Sequence, residues 1–274
     1  MAVVLTHDAP RSLRRCVASI AGQSLRPDWT LVVDNASSTP VDPDELPGPV
    51  RVLRLGTNEG PAGGWAEGLR RVLAEGPDLL WLMDDDCEPR PDALEQLKRA
   101  LDEGGPETGV AYPLWHEPPG GPGVFRPAWC GVLLRRVVVE RAGLPMRELV
   151  WWAEDTEYLQ WRVRNTGFGE LLVPNAHVDH HRGGERDGRA LWKLYYETRN
   201  TVYFRLWIQR RPYRRFRRMA RSLTKLAWRA IRSGADARAA TALWFRGLVD
   251  GLTGRLGVRV PLGQSPLGSS ERHQ

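Results

Sequence analysis

Three consecutive carboxylates, Asp84, Asp85 and Asp86, close a short apolar run that begins at Leu79. Like charges this close repel strongly unless a cation or a partner neutralises them, so a divalent metal is one candidate occupant. An acidic loop capping the next helix is the other, because Pro89 and Pro91 follow directly. A second cluster, Val150 to Tyr158, sets two indoles, Trp151 and Trp152, before Glu154, Asp155 and Glu157. An apolar wall beside a carboxylate is how a general base is desolvated and tuned. The same acids in a first helical turn would also serve stability alone. His177, His180 and His181 fall within five residues, which suits a metal ligand or an exposed polar loop. By themselves they do not make a Cys/His zinc centre.

Two further stretches could meet a nucleotide. Asp34 follows an apolar run and suits a ribose hydroxyl or a base edge, with a turn-forming Asp34-Asn35 pair as the alternative. Asn58 to Trp65, with Gly60, Gly63 and Gly64, would let backbone amides and a helix N-terminus approach phosphate, or would cap the helix. No GxGxxG follows the first apolar run and no GxxxxGK[ST] occurs, so neither a dinucleotide fold nor a P-loop NTPase is supported.

Ala2 to Leu5 predicts a strand ending at Thr6-His7-Asp8, and Pro10 opens a helix burying Leu13, Cys16, Val17 and Ile20. Trp29 to Val33 and Val50 to Leu55 predict strands. Trp65, Leu69, Val72 and Leu73 mark a second helix, and Leu94, Leu97 and Leu101 a third. This alternation argues for a parallel sheet covered on both faces, whose ligands bind beyond the carboxyl ends of the strands. Gly104 to Gly123 is rich in Gly and Pro and reads as a surface excursion. Gly131, among large apolar residues, predicts close backbone approach or a strand bulge. Leu171 to Pro174 is a further short strand.

Charge is unevenly spread. The net charge is +6, yet residues 198–235 hold 12 basic residues and no acidic one, while residues 1–197 are acidic overall. Mixed Arg and apolar residues over 210–232 predict a surface helix resting on anionic lipid, with a merely solvated face as the alternative. Nucleic acid is disfavoured as a partner by the acidic body and the lack of a recognised module. Cys16, Cys87 and Cys130 are odd in number and far apart, which fits reduced thiols. No apolar run is long enough to span a bilayer and the N-terminus lacks a signal pattern, so a cytoplasmic or peripheral inner-face location is expected.

Taken together, Val4 to Asp8, Val32 to Ser37, Asn58 to Trp65, Trp81 to Asp86, Trp152 to Tyr158, His180 and Tyr195 to Asn200 resemble the family 2 glycosyltransferases of the GT-A fold. The resemblance is to bacterial galactofuranosyl- and rhamnosyltransferases that build cell-surface polysaccharides. It implies a Rossmann-like α/β domain over 1–200 with a mostly parallel sheet flanked by helices. A basic helical appendage would follow over 201–262, and 263–274 would be a disordered tail. It further implies that Thr6, Asp8, Asp34, Asn58, Gly60, Gly63 and Asp85 serve a UDP- or dTDP-linked sugar donor. Asp84 and Asp86 with His180, or its neighbour His181, would hold Mn2+ or Mg2+. Asp155 would be the catalytic base, and Trp152 and Glu154 would meet a glycan or glycolipid acceptor in an inverting transfer. Two rival functions are a metal-dependent phosphoryl or nucleotidyl transferase and a silent nucleotide-sugar- or glycan-binding module. The acid triplet does not follow the first strand, which counts against the former, and the intact acids and His180 count against the latter.

Overall fold

The computed structural model describes residues 1–118, 121–181, 190–209 and 214–263. The chain divides into two compact units, the first formed by Met1–Arg147 with Asp155–Arg186. It opens with β1 (Ala2–Thr6) and β2 (Thr30–Asp34), both buried along their whole length, as strands covered on two faces must be. Between them α1 (Pro10–Ala21) starts on proline and buries Leu13, Cys16, Val17 and Ile20, the stripe its spacing predicts. β3 (Val50–Arg54) lies at one edge, and α2 (Gly60–Glu75) crosses back to β4 (Leu79–Asp84).

Gly63 and Gly64 let α2 sit tightly at its start. A Cβ on Gly64 would come within 2.5 Å of Leu5 Cδ1, and one on Gly63 within 2.4 Å of Glu59 Cβ. After β4 come β5 (Cys87–Pro89), α3 (Ala93–Glu103), β6 (Thr108–His116), β7 (Cys130–Arg135), α4 (Arg136–Ala142), α5 (Glu154–Glu157) and β8 (Gly169–His180).

The eight strands form one sheet in the order β3-β2-β1-β4-β7-β6-β8-β5. The sheet is mixed. β1, β2, β3 and β4 run parallel, as do β6 and β8, but β7 is antiparallel to β4 and β6, and β5 to β8. The expected surface excursion over Gly104 to Gly123 in fact contains β6, whose residues from Thr108 to Pro113 are buried. Its flanking Gly and Pro residues mark the ends of a strand, and Val110, Ala111 and Tyr112 supply the apolar surface that seats it. The strand over Leu171 to Pro174 runs on to His180, because Leu114, Trp115 and His116 of β6 pair with His177, Val178 and Asp179.

Side chains alternate across the sheet, with Val4 and Met83 packing on the α1 and α3 side and Val3, Leu5 and Leu82 on the α2 side. Trp65 stacks on Trp129 with ring centroids 4.5 Å apart. Gly131 sits at φ 81°, where the β4–β7 register slips between Leu82 and Met83. Trp81 Nε1 donates to Gly131 O at 2.9 Å. The strand bulge expected at Gly131 is therefore present.

The second unit joins Glu148–Glu154 to the segment containing α6 (Leu191–Tyr203), α7 (Arg214–Ile231) and α8 (Ala237–Thr253). α6 packs closely on α8, where a Cβ on Gly247 would stand 2.6 Å from Tyr195 O. Residues 210–213 and the expected disordered tail from 264 lie outside the described residues, as do the side chains of 214–216.

Candidate active site

Parallel register gathers the acidic groups at one edge. Thr6 is aligned with Asp34 across β1 and β2, and Leu5 with Asp84 across β1 and β4, so the carboxyl ends of the three central strands are level. Two strands far apart in the chain then close the corner, because Cys87 of β5 pairs with His180 of β8. His180 Nε2 stands 3.2 Å from Asp86 Oδ1. His181 turns to Glu88 instead, at 3.3 Å, so His180 is the ring that faces the acidic motif.

Burial, and then the adjacent Asp86 carboxylate, push the Asp84 carboxyl well above its ordinary range. Burial opposes charge on His180, but Asp86 and Cys130 outweigh it and raise the ring to about 10. The carboxylate of Asp86 beside the His180 imidazole is the oxygen–nitrogen pair that a hard or borderline divalent cation takes.

Asp85 is fully buried and accepts a hydrogen bond from Thr6 Oγ1 at 2.6 Å. These two predicted donor-site residues are thus joined to one another. Asp34, also fully buried, accepts from Ser37 N at 2.8 Å, from Val41 N at 3.2 Å and from Arg54 Nη1. Burial would raise its carboxyl, yet these bonds win and hold it below its ordinary value.

Asp8, at φ 50°, accepts from Ser38 N at 2.6 Å. Asn58 Oδ1 accepts from Gly60 N at 2.9 Å, and its Nδ2 meets His7 Nε2 at 2.9 Å. Gly63 is a tight packing position within α2, as given above. Thr6 and Asp8 open onto a cleft of about 270 Å³, whose wall is completed by Pro10, Ser37, Val41 and Leu46. The cleft lies at the N-terminus of α1 beside the end of β1, the place where an α/β sheet receives a ligand.

Trp152 and Glu154 belong to the second unit, and Asp155, the next residue, to the first. Asp155 Oδ1 accepts from the backbone and hydroxyl of Thr156. Trp152 is 47% exposed. The backbone before Asp155 is unusual: Val150, Trp152 and Ala153 have φ of 65°, 74° and 66°, a left-handed region costly for residues with a Cβ. Two residues of α6 hold it. Asn200 Nδ2 donates to the carbonyls of Leu149, Trp151 and Trp152, each at 2.8 Å. Arg199 Nη2 donates to Leu149 O at 2.8 Å, and its Nη1 to Gly257 O at 2.6 Å. Both side chains are fully buried. Sequence reasoning placed Arg199 and Asn200 in a motif without a role; a charged Arg beside an Asn on an apolar helix was the available sign.

A sheet of this order, with its acids and histidine at one carboxyl edge, is an α/β fold of the GT-A type. The chain belongs to glycosyl transferase family 2, whose family model matches residues 1–165. It is similar to the galactofuranosyltransferase GlfT1 of Mycobacterium tuberculosis strain H37Rv, with 39% identity over 89 residues, 31% of this chain and 29% of that protein. The GlfT1 of Mycolicibacterium smegmatis is 39% identical over 90 residues, 32% of this chain and 30% of that protein. The matched segment is thus less than a third of these relatives. Among solved structures, Staphylococcus aureus TarS superposes with a TM-score of 0.59 at 14% identity, covering 93% of this chain and 48% of that one. GalNAc-T7 with UDP, GalNAc and Mn2+ gives 0.59 at 18% identity, over 88% of this chain and 57% of that one. At these identities the likeness is one of fold.

Proposed function

We propose that the protein is an inverting, divalent-cation-dependent glycosyltransferase. It moves a galactofuranose- or rhamnose-type sugar from a UDP- or dTDP-linked donor to a hydroxyl of a glycan or lipid-linked glycan in cell-surface polysaccharide synthesis. The observation that carries this is the β5–β8 pairing, which sets His180 against Asp86 at the sheet edge that also holds the Thr6–Asp8 cleft. In this role Asp84, Asp86 and His180 hold Mn2+ or Mg2+, which supplies Lewis-acid stabilisation of the departing diphosphate. Asp8 and Asn58 orient the nucleoside and its phosphates, while Thr6, Asp34 and Asp85 support that wall through their buried bonds.

Trp152 gives the acceptor an apolar platform and Glu154 a hydrogen-bonding partner. Asp155 takes the proton from the attacking hydroxyl, so one displacement at the anomeric carbon inverts it without a covalent nucleophile. A membrane-bound acceptor fits α7, where Trp228 and Ile231 are 60% and 62% exposed next to Arg229 and Arg232. The protein therefore works at the inner face of an anionic membrane. The test is incubation with a panel of nucleotide sugars, Mn2+ and a lipid-linked glycan acceptor. Release of nucleoside diphosphate with a single donor class is expected; silence across the panel rejects the assignment.

A further inference from the structure

Cys87, Cys130 and His180 take no part in that account as a group, yet they converge. Cys87 lies opposite His180 in the β5–β8 ladder, and Cys130 begins β7 beside the Gly131 bulge. Their sulfur and nitrogen donor atoms all lie within 4.8 Å of one another, and the three residues are 0%, 2% and 9% exposed. Cys130 Sγ is 3.5 Å from His180 Nδ1. With zinc bonds of about 2.3 Å to sulfur and about 2.0 Å to nitrogen, a tetrahedral sulfur–nitrogen edge is about 3.5 Å, so this edge is already at ligand spacing.

We infer that Cys87, Cys130 and His180 Nδ1 form a second metal site, selective for a thiophilic cation such as Zn2+, whose filling withdraws the nitrogen ligand from a hard cation at the Asp84–Asp86 corner and weakens its binding. Two thiolates and an imidazole are the donors of zinc rather than of Mg2+ or Mn2+. Three protein ligands leave a fourth position for solvent or a small anion. On binding, the Cys87 S–H bond is replaced by a sulfur–metal bond, and the one proton shared by the Cys130–His180 pair leaves as Cys130 sulfur and His180 Nδ1 both bond the metal, so two protons pass to solvent.

The competition follows from the ring. A neutral imidazole has one lone pair to give, and the nitrogen that keeps its proton becomes the donor to its neighbour. With Nε2 on a hard cation, Nδ1–H points at Cys130 sulfur. With Nδ1 on zinc, Nε2–H points at Asp86, and the hard cation loses its nitrogen ligand. Zinc is thus an inhibitor that acts through the tautomer of one histidine. The competition rests on the proposed hard-cation role of Asp86 and His180; thiophilic binding does not.

The test uses the full chain stripped of metal and titrated with Co2+ as a zinc probe. One equivalent should give a thiolate-to-cobalt charge-transfer band and tetrahedral visible bands, both erased by Zn2+. Cys87→Ser and Cys130→Ser should each weaken binding by about a hundredfold or more, and Cys16→Ser should leave it unchanged. A folded wild-type protein without the sulfur band overturns the site, as does a band that survives both ligand substitutions. Should Cys130→Ser not fold, the wild-type spectrum and Cys87→Ser decide. Mn2+ binding, read by electron paramagnetic resonance without donor, should weaken on Zn2+ loading at least as far as it does in His180→Ala; undiminished binding overturns the competition. Asp86→Asn should lose Mn2+ and keep the cobalt band, which separates failure of the functional assignment from failure of this site.

Discussion

Asn200 fastens the backbone of Trp152: its side-chain amide donates to the Trp152 carbonyl at 2.8 Å while also meeting the carbonyls of Leu149 and Trp151. Each left-handed non-glycine residue costs on the order of 1–3 kcal/mol, and three of them fall between Val150 and Ala153. The buried amide offsets that cost by satisfying carbonyls that an ordinary helix or strand would have paired. Asn200→Ala should therefore lose about 2–4 kcal/mol of stability. A thermal melt reads this directly. Transfer activity should fall beyond the loss of folded protein, because the released segment carries Trp152 and leads into Asp155.

Asp155→Asn keeps the shape of the side chain and removes its basicity. Loss of a general base costs about 10²- to 10⁴-fold in turnover. Nucleotide affinity, measured by calorimetry with free UDP or dTDP, should stay within about twofold, because the groups assigned to the nucleoside lie elsewhere. Normal turnover would remove Asp155 from the mechanism.

Mn2+ affinity should rise with pH. The His180 ring, raised to about 10 by Asp86 and Cys130 against the effect of burial, holds a proton in the metal-free protein, and burial and Asp86 shift the Asp84 carboxyl in the same direction. A cation must displace a proton held there, so binding weakens as acid restores it and strengthens as base removes it. Between about pH 6 and 8 the affinity should climb by roughly tenfold per unit for each proton displaced. His180→Ala should bind more weakly overall and lower the slope by about one proton. A flat profile in the wild-type protein would contradict the ligand assignment.

Along α7, Arg217, Arg218, Arg221 and Lys225 are exposed on successive turns ahead of Trp228 and Ile231. Each basic residue near an anionic surface is worth about 1 kcal/mol, so replacing these four by Gln should lower binding to phosphatidylglycerol vesicles by about a thousandfold at low salt. Trp228→Ala with Ile231→Ala should weaken flotation even at higher salt, since it removes apolar contact rather than charge. Binding unchanged by both sets of substitutions would detach α7 from the membrane.

Local pattern was sufficient for much of the first unit. Proline at the start of α1, the stripe from Leu13 to Ile20, and the apolar runs of β1, β2 and β4 are set by short-range propensity and by which faces must be buried. The polar residues at the ends of those strands followed, because parallel strands linked by helices bring like ends to one edge. β6 was missed because Gly and Pro residues at its ends resemble a loop until the neighbours β7 and β8 are known.

What residue order alone established was the α/β alternation and the acid-bearing strand ends, since both depend on contacts a few residues apart. Long-range pairing settled the rest. It chose His180 over His181 for Asp86, turned Asp85 inward to Thr6, saturated Asp34 with Ser37, Val41 and Arg54, and brought Cys87 and Cys130 to one imidazole. It also gave Arg199 and Asn200 their carbonyl partners some fifty residues upstream. Such pairings depend on strand register and helix packing between segments far apart in the chain, and no local periodicity encodes which of two adjacent side chains will face the same neighbour.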